Sequence, residues 1–286
     1  MNRFTFFVPL LFVSIFSTSC SSDAIETRSI KRVYYQDQVI VLMYHHIDPE
    51  QRGSSITLEN LTRHLDTMRE QGFHFIRMSD YLSFVKGEQS IPENAVVLTF
   101  DDGYESFYTY VYPELKKRGL SASNYVIVGS TDHFDPKKIP HLTWDQMREM
   151  KKNGIEFYNH TYDSHEFINH STTFASPIFL PEKNRLETQE EYRQRIYDDL
   201  ALAEKRLEEE LGHQPHRVLC FPGGVYNDTI LEVCNQLGMK VFLTTNEGIN
   251  DRNQKLVYRI SADGLTVEQL LEKIQKYTTA KSTNTR

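Results

Sequence analysis

Two short strings in this chain hold the residue types that hydrolysis needs. The first is Leu98-Thr99-Phe100-Asp101-Asp102-Gly103-Tyr104, and the second is Tyr158-Asn159-His160-Thr161-Tyr162-Asp163-Ser164-His165. Together they offer two adjacent carboxylates and two imidazoles. A catalytic zinc-type centre takes about three protein ligands, leaves one position open for water, and needs a further base to activate that water. Two neighbouring carboxylates cannot both ligate without crowding charge, which suggests Asp102 as ligand and Asp101 as proton acceptor. His160 and His165 cannot share one helical face, where the useful spacings are three and four residues. A loop must bring them together, and Asp163 between them is a candidate acceptor that orients an imidazole from behind.

The elements that must position these residues are legible from hydrophobic pattern. Residues 95–100 form an apolar, valine-rich run of strand length, and Pro92 and Asn94 mark its start. Residues 155–158 form a second short strand after the Asn153-Gly154 turn, and residues 40–44 a third that ends in His45. All the candidate side chains thus follow strand ends, where parallel α/β architectures carry their sites. Leu58, Leu61, Leu65 and Met68 make a helical stripe that stops before Gly72, and Thr143 with Gln146 is in capping-box register for a helix leading to the histidine strand. Ile196, Leu200, Ala203, Leu207 and Leu211 mark an outer amphipathic helix. Residues 218–221, 241–244 and 257–260 read as further strands. Residues 170–195, with Pro177 and Pro181, read as a long loop beside the cleft whose apolar patch, Phe174 with Pro177 to Leu180, is tucked away. The alternation of strands and helices predicts an α/β fold, a distorted (β/α) barrel, in a single domain over residues 39–286.

On these strings the chain resembles the polysaccharide deacetylases with a NodB-type domain, carbohydrate esterases acting on N-acetylated glycans. The first string is similar to the family's TFDD motif. The second resembles H-T-x-D-x-H, the form found in the branch that deacetylates poly-β-1,6-N-acetylglucosamine, where most members have H-[ST]-x-x-H. Tyr44-His45-His46-Ile47 resembles that branch's early Y-H-x-[IV] element, and Phe221-Pro222-Gly223-Gly224-Val225-Tyr226 resembles the family's third motif, usually P-Y-G. The likeness covers residues 39–264. It implies removal of acetyl groups from N-acetylglucosamine units of an extracellular polysaccharide, with a divalent metal, zinc first, held by Asp102, His160 and His165. It implies Asp101 as the base and His45 as the acid that protonates the leaving amine. Pro222, Gly223 and Tyr226 would face substrate, the N–H after proline holding the oxyanion. Tyr258-Arg259-Ile260 resembles a late strand of the branch, where Arg259 either supports the site or only pairs a carboxylate. The chain departs from the family in three places: Leu219 stands where the third motif has arginine, Gly223 where it has an aromatic, and no Asp-x-x-x-Trp pattern follows. Two other readings stay open: the same chemistry on peptidoglycan or chitin-like chains, and a surface lipoprotein that binds glycan without turnover.

Composition agrees with one globular enzyme domain. The chain has 286 residues, 39% hydrophobic and 25% charged, enough for one barrel of about 250 residues and its leader. A net charge of −7 argues against a nucleic-acid partner, which needs a concentrated basic surface. Arg3 and the apolar stretch 4–16 have signal-peptide proportions, too short to span a bilayer comfortably. Ser17-Thr18-Ser19-Cys20 resembles a bacterial lipobox, so residues 1–20 are expected to be a leader and Cys20 a lipid anchor to the outer face of the membrane. Cleavage near Ser19 with free secretion is the alternative. Residues 21–38 read as a polar tether. Cys220 and Cys234 are expected to be buried thiols rather than a bridge, since nothing resembles a disulfide framework.

Overall fold

Nine strands rich in valine and other β-formers pair, all in parallel, into one curled sheet. In chain order they are β1 (Val39–Tyr44), β2 (His74–Ile76), β3 (Ala95–Phe100), β4 (Ser123–Val126), β5 (Glu156–Asn159), β6 (Val218–Cys220), β7 (Val241–Leu243), β8 (Leu256–Val257) and β9 (Ile260–Ser261). These positions come from a computed structural model that describes Met1, residues 33–168 and residues 171–279. The leader-like segment, Cys20 and residues 21–32 of the tether lie outside the described residues. Spatial order runs β8-β7-β6-β5-β4-β3-β1-β9, with β2 pairing the first half of β3.

That order explains the closure. β8 lies at one end of the sheet and β9 at the other, yet only Tyr258 and Arg259 separate them in the chain. The sheet therefore curls until its two edges are bridged by a single broken strand. The continuous strand expected over 257–260 is interrupted because the Asn250 side chain claims Tyr258: its Oδ1 accepts from Tyr258 N–H and its Nδ2 donates to Tyr258 O, both at 2.8 Å. Arg259 N–H is diverted to Asn246 O at 2.8 Å.

Strand alternation sorts side chains into two layers. Val39, Val41, Val97, Tyr125, Tyr158, Val218, Cys220, Leu243 and Val257 fill the inner face, where the helix Met78–Val85 adds Tyr81 and Phe84. Ile40, Leu42, Val96, Leu98 and Phe100 face outward under helices Leu58–Glu70, Trp144–Lys152 and Val267–Thr279. On the far side Leu219, Phe221 and Phe242 meet the helices Gln189–Leu211 and Asp228–Gln236. Thr57 caps the helix Leu58–Glu70, and Thr143 with Gln146 forms the capping box that their spacing predicts.

Two local expectations change. The stretch after the histidines is not one long loop: residues 179–180 and 185–186 form a small hairpin, and the long helix already begins at Gln189, because Thr188 and Glu191 form a capping box. Its apolar patch divides, with Phe174 fully buried and Phe179 54% exposed. The packed chain also starts before Val39, since Tyr34 stacks on Phe73 and the Tyr35 hydroxyl donates to Ala95 O.

Candidate active site

Asp101 follows β3 without leaving its ladder, its N–H donating to Tyr44 O at 2.9 Å. Its side chain keeps the inward alternation of Val97 and Thr99 and points into the barrel. Asp102 then turns into the left-handed region, φ 71°, which sends the second carboxylate elsewhere. Gly103, φ 76°, completes the exit, and a Cβ there would lie 3.0 Å from Val126 Cγ1. His160 follows β5, and Thr161 beside it also adopts a left-handed φ, 74°. Non-glycine residues in that region cost about 1–3 kcal/mol each and persist where the surroundings fix them. Here Thr161 N–H donates to Asn159 Oδ1, and the N–H groups of Tyr162 and Asp163 donate to the two oxygens of Asp199 at 3.0 and 2.8 Å. The long helix thereby pins the loop that carries both histidines.

The outcome is a triangle of donors. Asp102 Oδ1 lies 3.3 Å from both His160 Nε2 and His165 Nε2, and the two nitrogens are 3.1 Å apart. His160 Nδ1 is hydrogen-bonded to Cys220 O at 2.8 Å, so in the neutral ring the lone pair is on Nε2, facing the triangle. Three donors with such edges form one face of a tetrahedron whose centre lies about 2 Å from each, the Zn–N and Zn–O bond length. The fit can also be read from protonation. Burial works against a charged His160, but Cys220 and the bond to Asp102 push its pKa well up, while burial and the charge on His160 push His165 down to about 4. Asp102 Oδ1 faces both imidazoles from one side, so all three donor atoms point at one space. The donor set therefore suits a divalent cation of zinc type.

Beside the triangle Asp101 belongs to a separate network. Its Oδ1 accepts from Arg259 Nη1 at 2.8 Å, and its Oδ2 lies 3.4 Å from Cys220 Sγ and 3.9 Å from His45 Nε2. Arg259, fully buried, also donates through Nε to Thr244 O. Burial raises the Asp101 pKa, but Arg259 foremost, with His160 and His45, holds the carboxyl below its ordinary value. His45 Nδ1 bonds to Asp263 Oδ2 at 2.6 Å, leaving Nε2 toward Asp101. Burial disfavours its charged form, yet Asp263 and Asp101 together raise its pKa.

His45, Asp101, Asp102, His160, His165 and Arg259 open on one cavity of about 400 Å³, also lined by Tyr104, Phe221, Gly223 and Thr245. Gly223 thus reaches the cavity as a left-handed residue, φ 59°. Pro222 is buried behind it. Tyr226 does not line the cavity; it stacks on Phe221, ring centroids 4.9 Å apart, as part of the outer packing. Asp163, expected to orient an imidazole, is exposed with its backbone turned onto Asp199, and the acceptor behind His160 is the Cys220 carbonyl. Of the two options for Arg259, the geometry gives both at once: it pairs a carboxylate, and that carboxylate is in the site. Sequence reasoning missed Asp263, Asp199 and the contacts of Cys220. Asp263 had the same signal as Asp101, a carboxylate just past a strand end. Cys220 and Cys234 are both buried and free.

A curled parallel sheet with carboxylates and imidazoles converging at its strand ends is a hydrolase-type architecture. The chain belongs to the polysaccharide deacetylase family: the family's model matches residues 88–242. A relative from Escherichia coli K12, named poly-β-1,6-N-acetyl-D-glucosamine N-deacetylase, is 30% identical over 236 residues, which is 75% of this chain and 35% of the relative. The chain thus spans about a third of that protein's length. Among solved structures, a de-N-acetylase from Aggregatibacter actinomycetemcomitans superposes with a TM-score of 0.74 at 25% identity, covering 83% of this chain and all of that one. IcaB from Ammonifex degensii gives 0.71 at 26% identity, covering 84% and 97%.

Proposed function

We propose that this protein is a metal-dependent N-deacetylase that removes acetyl groups from N-acetylglucosamine units of an extracellular polymer of the poly-β-1,6-linked type. The observation that carries the reading is the pairing of a ligand-sized triangle, Asp102, His160 and His165, with a second carboxylate that stays out of it. Asp102, His160 and His165 would hold a divalent cation, zinc by the donor set, which when bound would supply a Lewis acid for the acetyl carbonyl and for water. Asp101 takes the proton from the attacking water with Oδ2, since Arg259 holds Oδ1. The C–N bond breaks, and His45 gives its Nε2 proton to the departing nitrogen to leave acetate and a free amine. Asp263 keeps His45 protonated and its ring aimed. Attack and departure occur at one carbon, so base and acid must lie close together. Asp101 Oδ2 and His45 Nε2, 3.9 Å apart, meet that requirement. The N–H of Gly223 supplies a donor for the oxyanion.

The β-1,6 linkage is supported by the H-T-x-D-x-H spacing and by the name of the Escherichia coli relative. The test is acetate release from defined β-1,6 and β-1,4 N-acetylglucosamine oligomers, with and without chelator. Release from the β-1,6 series, lost on chelation, restored by zinc and abolished by Asp101→Asn, is the expected result. Preference for β-1,4 chains would overturn the linkage, and chelator-resistant release the metal. We also propose that the protein is exported and anchored through Cys20. Fatty-acid labelling should then appear in the wild type and vanish in Cys20→Ala.

A further inference from the structure

Cys220 touches both halves of the site. Its carbonyl accepts from His160 Nδ1 at 2.8 Å and its thiol lies 3.4 Å from Asp101 Oδ2, a normal S–H···O separation. The side chain is fully buried on the inner face of the barrel, where a thiol 3.4 Å from a carboxylate oxygen is the donor and the oxygen the acceptor. Asp101 Oδ1 is occupied by Arg259, so the thiol is the contact that fixes where Oδ2 points.

We propose that Cys220 is a positioning residue for hydrolysis, its S–H holding Asp101 Oδ2 in line with the cavity while its carbonyl holds the His160 ring. The proposal rests on the role of Asp101 given above. A thiol suits the place: its long C–S bond reaches the oxygen from the strand end, and as a weak donor it leaves Oδ2 free to take a proton. A carboxylate free to rotate about χ2 loses alignment, and misplacement of a reacting atom is costly.

Two measurements on the full-length, metal-loaded protein test this. In Cys220→Ala, kcat for acetate release should fall about tenfold with KM and metal content unchanged, and Cys220→Ser, which restores a donor on a shorter arm, should recover part of the loss. Equal rates for alanine and wild type, or a loss confined to KM, would overturn the proposal. The second measurement does not depend on turnover. The infrared S–H band of Cys220, isolated as the difference between wild type and Cys220→Ala, should move to higher frequency when Asp101 is changed to Asn. A band in the same place with and without the Asp101 charge would refute the contact. If wild type releases no acetate from any oligomer while the band still responds to Asp101, the deacetylase reading fails and the contact stands.

Discussion

Asp101 and Asp102 are neighbours in the chain, yet one carboxylate is paired with a buried guanidinium and the other only with imidazoles. Around Asp101, a buried guanidinium and a second acid–base pair, His45 with Asp263, leave each charge partnered. Around Asp102, two imidazoles converge from the same side with their Nε2 atoms 3.1 Å apart, an arrangement that a cation completes better than a proton. The inner-face network is complete within the folded chain; the triangle is the part that a bound cation would complete. This separates residues whose loss should damage the fold from residues whose loss should damage only the centre.

The largest effect should fall on the triangle. Asp102→Ala or His160→Ala should remove bound metal and lower acetate release by about a thousandfold or more. Metal content by mass spectrometry and initial rates check this together. Retention of stoichiometric metal in either variant would break the division between the two carboxylates.

Arg259 should show the opposite profile. Arg259→Met leaves Asp101 charged and unpaired inside the barrel, a change that costs about 3–5 kcal/mol of stability. Denaturant unfolding should report that loss, and Asp101→Asn added to Arg259→Met should recover part of it. The same pairing sets an acid limit. The folded pKa of Asp101 lies below its unfolded value, so its contribution is present above about pH 4 and lost as pH falls through the folded pKa. Stability of Asp101→Asn should therefore fall less steeply on acidification than that of the wild type.

How much of this was readable beforehand depends on whether a contact is local. His45, Asp101, Asp102 and His160 each come just after a strand that hydrophobic pattern defines, and His165 follows within the same short loop, so the positions of the proposed ligands and base lay within reach of the sequence, while the proposed acid role of His45 came from the family resemblance alone. Asp263 was equally available by that rule but stood without a motif to draw attention to it. Asp199 was not available: it lies mid-helix among charged neighbours, and only the docking of that helix brings it to the backbone of Tyr162 and Asp163. The break at Tyr258 and Arg259 depends on the side chain of Asn250, which no periodicity announces.

Asp263 sharpens the comparison at the next level of magnitude. Burial opposes the charge on His45, and Asp263 first, with Asp101 and Asp102, outweighs it, so the folded pKa is raised and the protonated ring persists to higher pH than a free histidine. Asp263→Asn should reduce kcat about a hundredfold and move the basic limb of kcat/KM to lower pH, with metal content unchanged. A pH profile that keeps its basic limb would detach Asp263 from the acid.

Asp199 gives the smallest and most discriminating effect, because it belongs to neither the donor triangle nor the lining of the cavity. Its carboxylate, pushed up in pKa by burial, is kept for two N–H donors that fix the loop between the ligands. Asp199→Asn preserves shape but turns one acceptor into an NH2 that faces a backbone donor, so one of the two bonds must be lost. Thr161 can then relax from its left-handed conformation, and His160 and His165 lose their fixed separation. Metal affinity should fall about tenfold, the usual scale for groups that orient ligands, while excess metal restores most of kcat. Amide exchange at Tyr162 and Asp163 should quicken in parallel. If exchange quickens and affinity holds, the triangle is rigid on its own strand ends and the helix contributes only to the fold.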